Sequence, residues 1–113
     1  MTSRNHKLYL LDIIESIEAI QKHVFDVSVE EFSTNITVQD AVIRRLEVIG
    51  EAVKHLPEEL LIQYTAIPWK EIAGMRDVFI HEYFGVNMQR VWNVIDNDLP
   101  ALKEAVHDIL RKI

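Results

Sequence analysis

Val42, Leu46, Ile49, Val53 and Leu56 recur at alternating intervals of four and three residues. A helix returns to the same face about every 3.6 residues, so this spacing lines the apolar side chains along one side of an α-helix. A strand could not use the pattern, because its faces alternate every second residue. The row is a helix-packing seam and demands another helix to cover it. Gly50 lies inside it, where glycine costs about 1 kcal/mol against alanine. Close approach of a neighbouring helix is the usual compensation. No period-two alternation is sustained elsewhere, and 113 residues hold only three glycines and three prolines. Helix is therefore expected nearly throughout.

A first helix is expected over residues 5–25, burying Leu10, Ile13, Ile14, Ile17, Ile20 and Val24, with Asp12, Glu15, Glu18 and Lys22 opposite. Leu8, Tyr9 and Leu11 widen its apolar surface, which suggests contact with more than one neighbour. Ser28 and Glu31 have the capping-box spacing and open a short turn anchored by Phe32 and ended by Ser33, Thr34 and Asn35. Thr37 and Asp40 repeat that spacing and are expected to start the seam helix, which Pro57 ends. A short helix over 58–64 and a loop over 65–67 lead to a helix over 68–84. Pro68 suits its first position and Gly85 the left-handed residue after its end. Asn87 is expected to cap the last helix, whose apolar face comprises Val91, Val94, Ile95, Leu99, Leu102, Val106, Ile109 and Ile113. Pro100 falls inside it, so a kink or a restart capped by Asp98 is expected there. The expected architecture is all-α: an up-down bundle of four main helices plus one or two short helices, one domain spanning 1–113.

A chain of this length can bury roughly 65% of its unfolded surface, enough for a core without cross-links. It has no cysteine, so disulfides and thiolate metal sites are excluded. No apolar run approaches the roughly 18 residues of a membrane helix. Asp12 and Glu15 interrupt the start where a secretory leader would need an apolar block. A cytoplasmic location without membrane contact is the expectation. Eighteen acids against twelve bases give a net charge of −6. That balance argues against a broadly nucleic-acid-binding surface, permits a local basic cleft, and suits a basic protein partner.

The expected helix over 68–84 carries Arg76, His81 and Tyr83. Helical pitch places Ile72, Arg76, Phe79 and Tyr83 on one stripe, so Arg76 interrupts an apolar and aromatic row. A guanidinium there wants an anion: a carboxylate, a phosphate or a nucleic-acid backbone. Arg76 and His81 stand about 140° apart around the helix and about 7.5 Å along it. One copy makes a poor site from this pair. Two copies meeting across a two-fold axis would bring four groups together, which points to a homodimer. Imidazole can move a proton near neutral pH, and a guanidinium can stabilise a charged phosphorus. Together they suit attack of an RNA 2′-hydroxyl on its neighbouring phosphate, a reaction needing no metal and leaving a cyclic phosphate. Asp77 is expected to point away from Arg76, where it could hold a base of the partner chain.

The ordinary alternatives are a surface histidine, and an arginine paired with a carboxylate such as Glu51 or Asp77. Tyr83 beside Phe84 suits a core or an interface. Trp69 and Trp92 suit packing. Glu51 and His55 are four residues apart on one helix face but lack further ligands, so no metal site is expected.

The residue set Arg76-x4-His81-x-Tyr83 resembles the Arg-x4-His-x-Tyr motif of the HepT-like toxins, a branch of the HEPN superfamily. Thr37-Val38-Gln39-Asp40-Ala41-Val42-Ile43 and Ile49-Gly50-Glu51-Ala52 resemble a second signature of that family. Ile67-Pro68-Trp69 is similar to its lead-in to the motif helix, and Val91-Trp92 and Leu99-Pro100-Ala101-Leu102 to its final helix. The resemblance thus runs in order along nearly the whole chain. It implies a HEPN-like, homodimeric helical bundle whose motif helices line a shared cleft. It further implies a metal-independent endoribonuclease without cofactors, the toxin half of a toxin–antitoxin pair. The implied partner is an MntA-like minimal nucleotidyltransferase antitoxin, which moves AMP from ATP to the motif tyrosine, here Tyr83. Arg76 and His81 carry over as catalytic residues, with Asp77 in support and Glu51 as partner to a cleft base. A non-catalytic subunit that docks a nucleotidyltransferase, and a purely structural adaptor, are the rival classes.

Overall fold

The computed structural model describes the backbone of residues 3–81 and 87–113, and the side chains of residues 5–77 and 87–113. Seven α-helices follow in chain order among the described residues: α1 (Ser3–His23), α2 (Val29–Thr34), α3 (Ile36–Lys54), α4 (Glu58–Leu61), α5 (Trp69–His81), α6 (Met88–Asn93) and α7 (Leu99–Lys112). A π-helical turn, Val94–Asp98, joins the last two. No strand occurs among the described residues. The long helices pack in the order α5, α3, α1, α7, with α3 between α1 and α5. The short α2 closes the bundle against α6 and α3.

The apolar rows account for the packing. Leu10, Ile13, Ile14, Ile17 and Ile20 of α1 are buried, as are Val42, Leu46, Ile49, Val53 and Leu56 of the α3 row. Val91, Ile95, Leu99, Leu102, Val106 and Ile109 complete the core from the C-terminal helices. Each such side chain contributes about 1.5–3 kcal/mol by leaving water. Val24 and Val94 are half-buried, and Ile113 is exposed at the chain end. α1 does meet two neighbours, α3 and α7, but Leu8 and Leu11 stay exposed. Only Tyr9 of the three packs inward, onto His55. Trp92 lies against buried Phe32 at 5.3 Å between ring centroids. The Trp69 ring N–H donates to the Tyr64 carbonyl at 3.0 Å.

Helix ends follow local chemistry. The Ser28 hydroxyl accepts from the Glu31 amide at 3.1 Å and starts α2. The start of α3 differs from expectation: Asn35, not Thr37, is its cap. The Asn35 side chain accepts from the Val38 amide at 3.1 Å, while its own amide donates to Glu31 O at 2.9 Å and closes α2. One residue serves both helices, leaving Thr37 inside α3. Pro57 precedes α4, which is shorter than the expected 58–64. Pro68 stands just before α5, its carbonyl accepting from the Ile72 amide at 3.0 Å. The expected end of that helix at Phe84 and the role of Gly85 lie outside the described residues. Asn87 caps α6 as expected, accepting from the Gln89 amide at 2.8 Å.

Pro100 produces a restart rather than a sharp kink. The Leu99 amide donates to the Val94 carbonyl, five residues back, and the proline then occupies the first turn of α7. Its missing amide is harmless there. Asp98 stands at the cap position, but its side chain caps nothing. Burial first, and the nearby Glu71 carboxylate second, push its pKa up from the usual value.

The loop after α4 is pinned to α7 by charge. The Tyr64 hydroxyl donates to Asp108 at 2.5 Å, and Arg111 and Lys112 reach the same carboxylate at 3.0 and 3.2 Å. The tyrosine hydrogen bond, then those of Lys112 and Arg111, hold the Asp108 pKa down at about 2. Asp108 therefore binds its proton less readily folded than unfolded. Its stabilisation is full well above the ordinary value of 3.8 and is lost as pH falls from there through about 2. Melting followed by circular dichroism from pH 5 to pH 2 should show a shallower acid decline in Asp108→Asn. A wild-type slope in that variant would refute the pin.

Candidate active site

The site is built where α3 and α5 touch. A Cβ placed on Gly50 would stand 2.8 Å from the Ile72 carbonyl oxygen and 3.5 Å from the Arg76 amide. Only a residue without a side chain lets these two backbones meet so closely. The contact sets the next residue, Glu51, beside Arg76.

Arg76 lies between two carboxylates. Its Nε stands 3.7 Å from Glu51 Oε2, and one terminal nitrogen 3.9 Å from Asp77 Oδ1. Each carboxylate has a second base. His55 Nε2 is 3.4 Å from Glu51 Oε1, and Lys54 Nζ is 3.4 Å from Asp77 Oδ2. Bases and carboxylates thus alternate along one exposed strip: His55, Glu51, Arg76, Asp77, Lys54. The His55 ring is in turn stacked on Tyr9 of α1, with centroids 4.7 Å apart and planes 13° from parallel.

Exposed pairs of this kind contribute roughly 0–1 kcal/mol each. Their effect is positional: they bias where the guanidinium points. Both Arg76 contacts are longer than a hydrogen bond, so the N–H donors are held in a negative field without being capped by it. The Arg76 side chain is 45% exposed, so an incoming phosphate can reach those donors. Ile72, one turn earlier, is 2% exposed. The row therefore leaves the core at Arg76.

One expectation changes here. Asp77 does not point away from Arg76; it turns back to it and to Lys54. A partner's base would have to displace one of them. Sequence reasoning also missed Lys54 and Tyr9 as neighbours of the strip. Nothing in the spacing of one helix signals contacts made between helices. The α5 backbone includes His81, but the His81 side chain lies outside the described residues, as does Tyr83. The geometry thus brings Arg76, Asp77 and Glu51 together and leaves the other two site residues unplaced. Among the described residues, no three metal-binding side chains cluster, and no helix is long and apolar enough to cross a membrane.

Residues 13–109 match the family profile described as Ribonuclease HepT-like. The chain is 48% identical over 107 residues to a Methanocaldococcus jannaschii protein whose name joins gamma-glutamylcyclotransferase to an inferred RNase; the match covers 95% of this chain but 48% of that protein. It is 45% identical over 104 residues to a protein of Caldanaerobacter subterraneus subsp. tengcongensis, named as an inferred RNase, covering 92% of this chain and 93% of the relative. It is 45% identical over 100 residues to a Thermococcus cleftensis protein named "Probable ribonuclease HepT", covering 88% and 91%. No solved structure matches.

Proposed function

The chain belongs to the HepT-like ribonuclease family, and from that premise we propose that it is the toxin of a type VII toxin–antitoxin pair, a metal-independent endoribonuclease. The observation that carries this reading is Arg76: an exposed guanidinium on the motif helix, five residues before His81, oriented by two carboxylates and open to a phosphate.

The chemistry runs as follows. His81 takes the proton from an RNA 2′-hydroxyl, and the 2′-oxygen attacks the adjacent phosphorus. Arg76 donates N–H bonds to the phosphoryl oxygens as their charge builds. The bond to the 5′-oxygen breaks, and that oxygen leaves with a proton from a protonated imidazole. The products are a 2′,3′-cyclic phosphate and a free 5′-hydroxyl. Acid and base roles need two imidazoles or one that changes state, so a homodimer with paired motif helices suits the step. Two Arg76 guanidinia meeting in that cleft would supply the phosphate-binding charge, which reconciles nuclease action with a net charge of −6.

Silencing is assigned to a nucleotidyltransferase partner. The Tyr83 phenol oxygen attacks the α-phosphorus of ATP, pyrophosphate leaves, and AMP stays on the tyrosine. The added phosphate repels RNA and competes for Arg76. Both RNA and ATP are met in the cytoplasm. Co-expression with such a partner should add the mass of one adenylyl group to the wild-type chain and none to Tyr83→Phe, which should stay active on RNA. An unchanged adduct in Tyr83→Phe would remove Tyr83 from the proposal.

The decisive measurement is RNA cleavage by purified protein in excess EDTA, with Arg76→Ala and His81→Ala alongside. The pairing of Arg76 with two carboxylates favours one rival, a non-catalytic subunit that presents a target to the nucleotidyltransferase. That rival predicts stable co-purification and no cleavage.

A further inference from the structure

Arg76 would hold a phosphate, but nothing assigned so far receives a base. We propose that the stacked pair Tyr9–His55 is a nucleobase subsite for single-stranded RNA, next along the strip from the Arg76 phosphate clamp. The inference rests on the nuclease reading above and adds to it how substrate is held.

The geometry is specific. Tyr9 covers one face of the His55 ring at 4.7 Å and 13°. The His55 side chain is nevertheless 44% exposed, so its open area is the opposite face and the ring edge. Glu51 fixes one edge, at 3.4 Å from Nε2. The imidazole is therefore an oriented plate, backed by a phenol ring and facing water. Flat rings of this kind receive unstacked bases with little regard to sequence, because every base has a π-face.

Its position fits a strand. Glu51 and His55 are four residues apart on one helix, a rise of about 6 Å, and Arg76 approaches the other oxygen of the Glu51 carboxylate. A phosphate at Arg76 and a base at His55 would thus lie on either side of one carboxylate. Charge fits as well. Lys54 and Arg76 balance Glu51 and Asp77, so the strip is neutral on a chain of net charge −6. Little repulsion opposes the sugar-phosphate backbone there.

A purely structural role, tying α1 to α3, is separable by experiment. The probe is a fluorescein-labelled oligoadenylate carrying 2′-O-methyl groups, which cannot undergo 2′-hydroxyl attack. Beside it runs an abasic ribose-phosphate oligomer of equal length, and binding of both is read by anisotropy in excess EDTA. His55→Ala and Tyr9→Ala should raise the Kd for oligoadenylate about 5- to 100-fold, the worth of one stacked base. Both should leave binding of the abasic oligomer unaltered, since it keeps every phosphate. Tyr9→Phe should recover most of the loss. In cleavage of unmodified RNA, KM should rise more than kcat falls.

Should Tyr9→Ala unfold, His55→Ala at the exposed end of α3 carries the same comparison. Wild-type affinity in His55→Ala, or equal losses on both oligomers, overturns the subsite while wild-type cleavage keeps the nuclease reading. Base-dependent binding without any wild-type cleavage does the reverse.

Discussion

Arg76→Ala and His81→Ala should each retain no more than about one part in a hundred of the RNA-cleaving activity expected of the wild-type protein in excess EDTA. Removing a proton-transfer group typically costs 10²–10⁴-fold, and removing a donor to a developing oxyanion about 10²–10³-fold. Arg76→Lys should recover little, because an ammonium keeps the charge but loses the planar fork. The fold should survive both Arg76 changes. The Arg76 pairs with Glu51 and Asp77 are solvent-exposed, and such pairs contribute roughly 0–1 kcal/mol. Lost cleavage with an unchanged melting curve is therefore the expected signature. Equal activity in wild type and both alanine variants would falsify the site.

Gly50→Ala should destabilise the protein, and Gly74→Ala should stabilise it. Both glycines sit in helices that contact each other, and alanine is the better helix former by about 1 kcal/mol. The difference lies in what the new methyl meets. At Gly50 it meets the Ile72 carbonyl at 2.8 Å, a backbone atom that cannot step aside alone. At Gly74 no atom of the described residues stands within 4 Å apart from its chain neighbours and its own helix backbone. Overpacking typically costs 1–3 kcal/mol, so Gly50→Ala should lose about 1 kcal/mol net and several degrees of Tm. Gly50→Leu should lose more. Spreading α3 from α5 also carries Glu51 away from Arg76, so Gly50→Ala should cleave RNA more slowly even where it is folded. A Tm above wild type in Gly50→Ala would show that the close crossing is not what retains the glycine.

The core was legible in the sequence because it is written as a period. The seam from Val42 to Leu56 is buried throughout, and the compensation expected for Gly50 is the α3–α5 crossing itself. Capping was legible less well. A capping interval fixes a distance and not an origin, and both Asn35 and Thr37 could open α3. Asn35 prevails while also closing α2, and Gln39 braces the junction by donating to the Phe32 carbonyl at 2.7 Å. Pro100 announced an interruption, but not that a wide turn would absorb it. In the site, the Arg76 position and its appetite for carboxylate could be read directly. The Tyr9–His55 stack and the Lys54–Asp77 pair could not, since each joins residues that only tertiary packing makes neighbours. Leu8 and Leu11 show the opposite case: an apolar surplus plain in the sequence that stays exposed among the described residues.

The wide turn at Val94–Asp98 also governs length. Buried Val91, Ile95 and Leu99 are separated by two consecutive steps of four. In a regular helix, eight residues overrun two full revolutions by about 80°, which would swing Leu99 out of line. The turn takes up that excess, and Leu102, Val106 and Ile109 then meet α1 squarely. A chain one residue shorter between Val94 and Asp98 would keep the same side inward, although Pro100 would still interrupt the backbone hydrogen bonds there. This joint is the place where the protein can gain or lose a single residue, while a deletion within α7 would turn its oily flank to water.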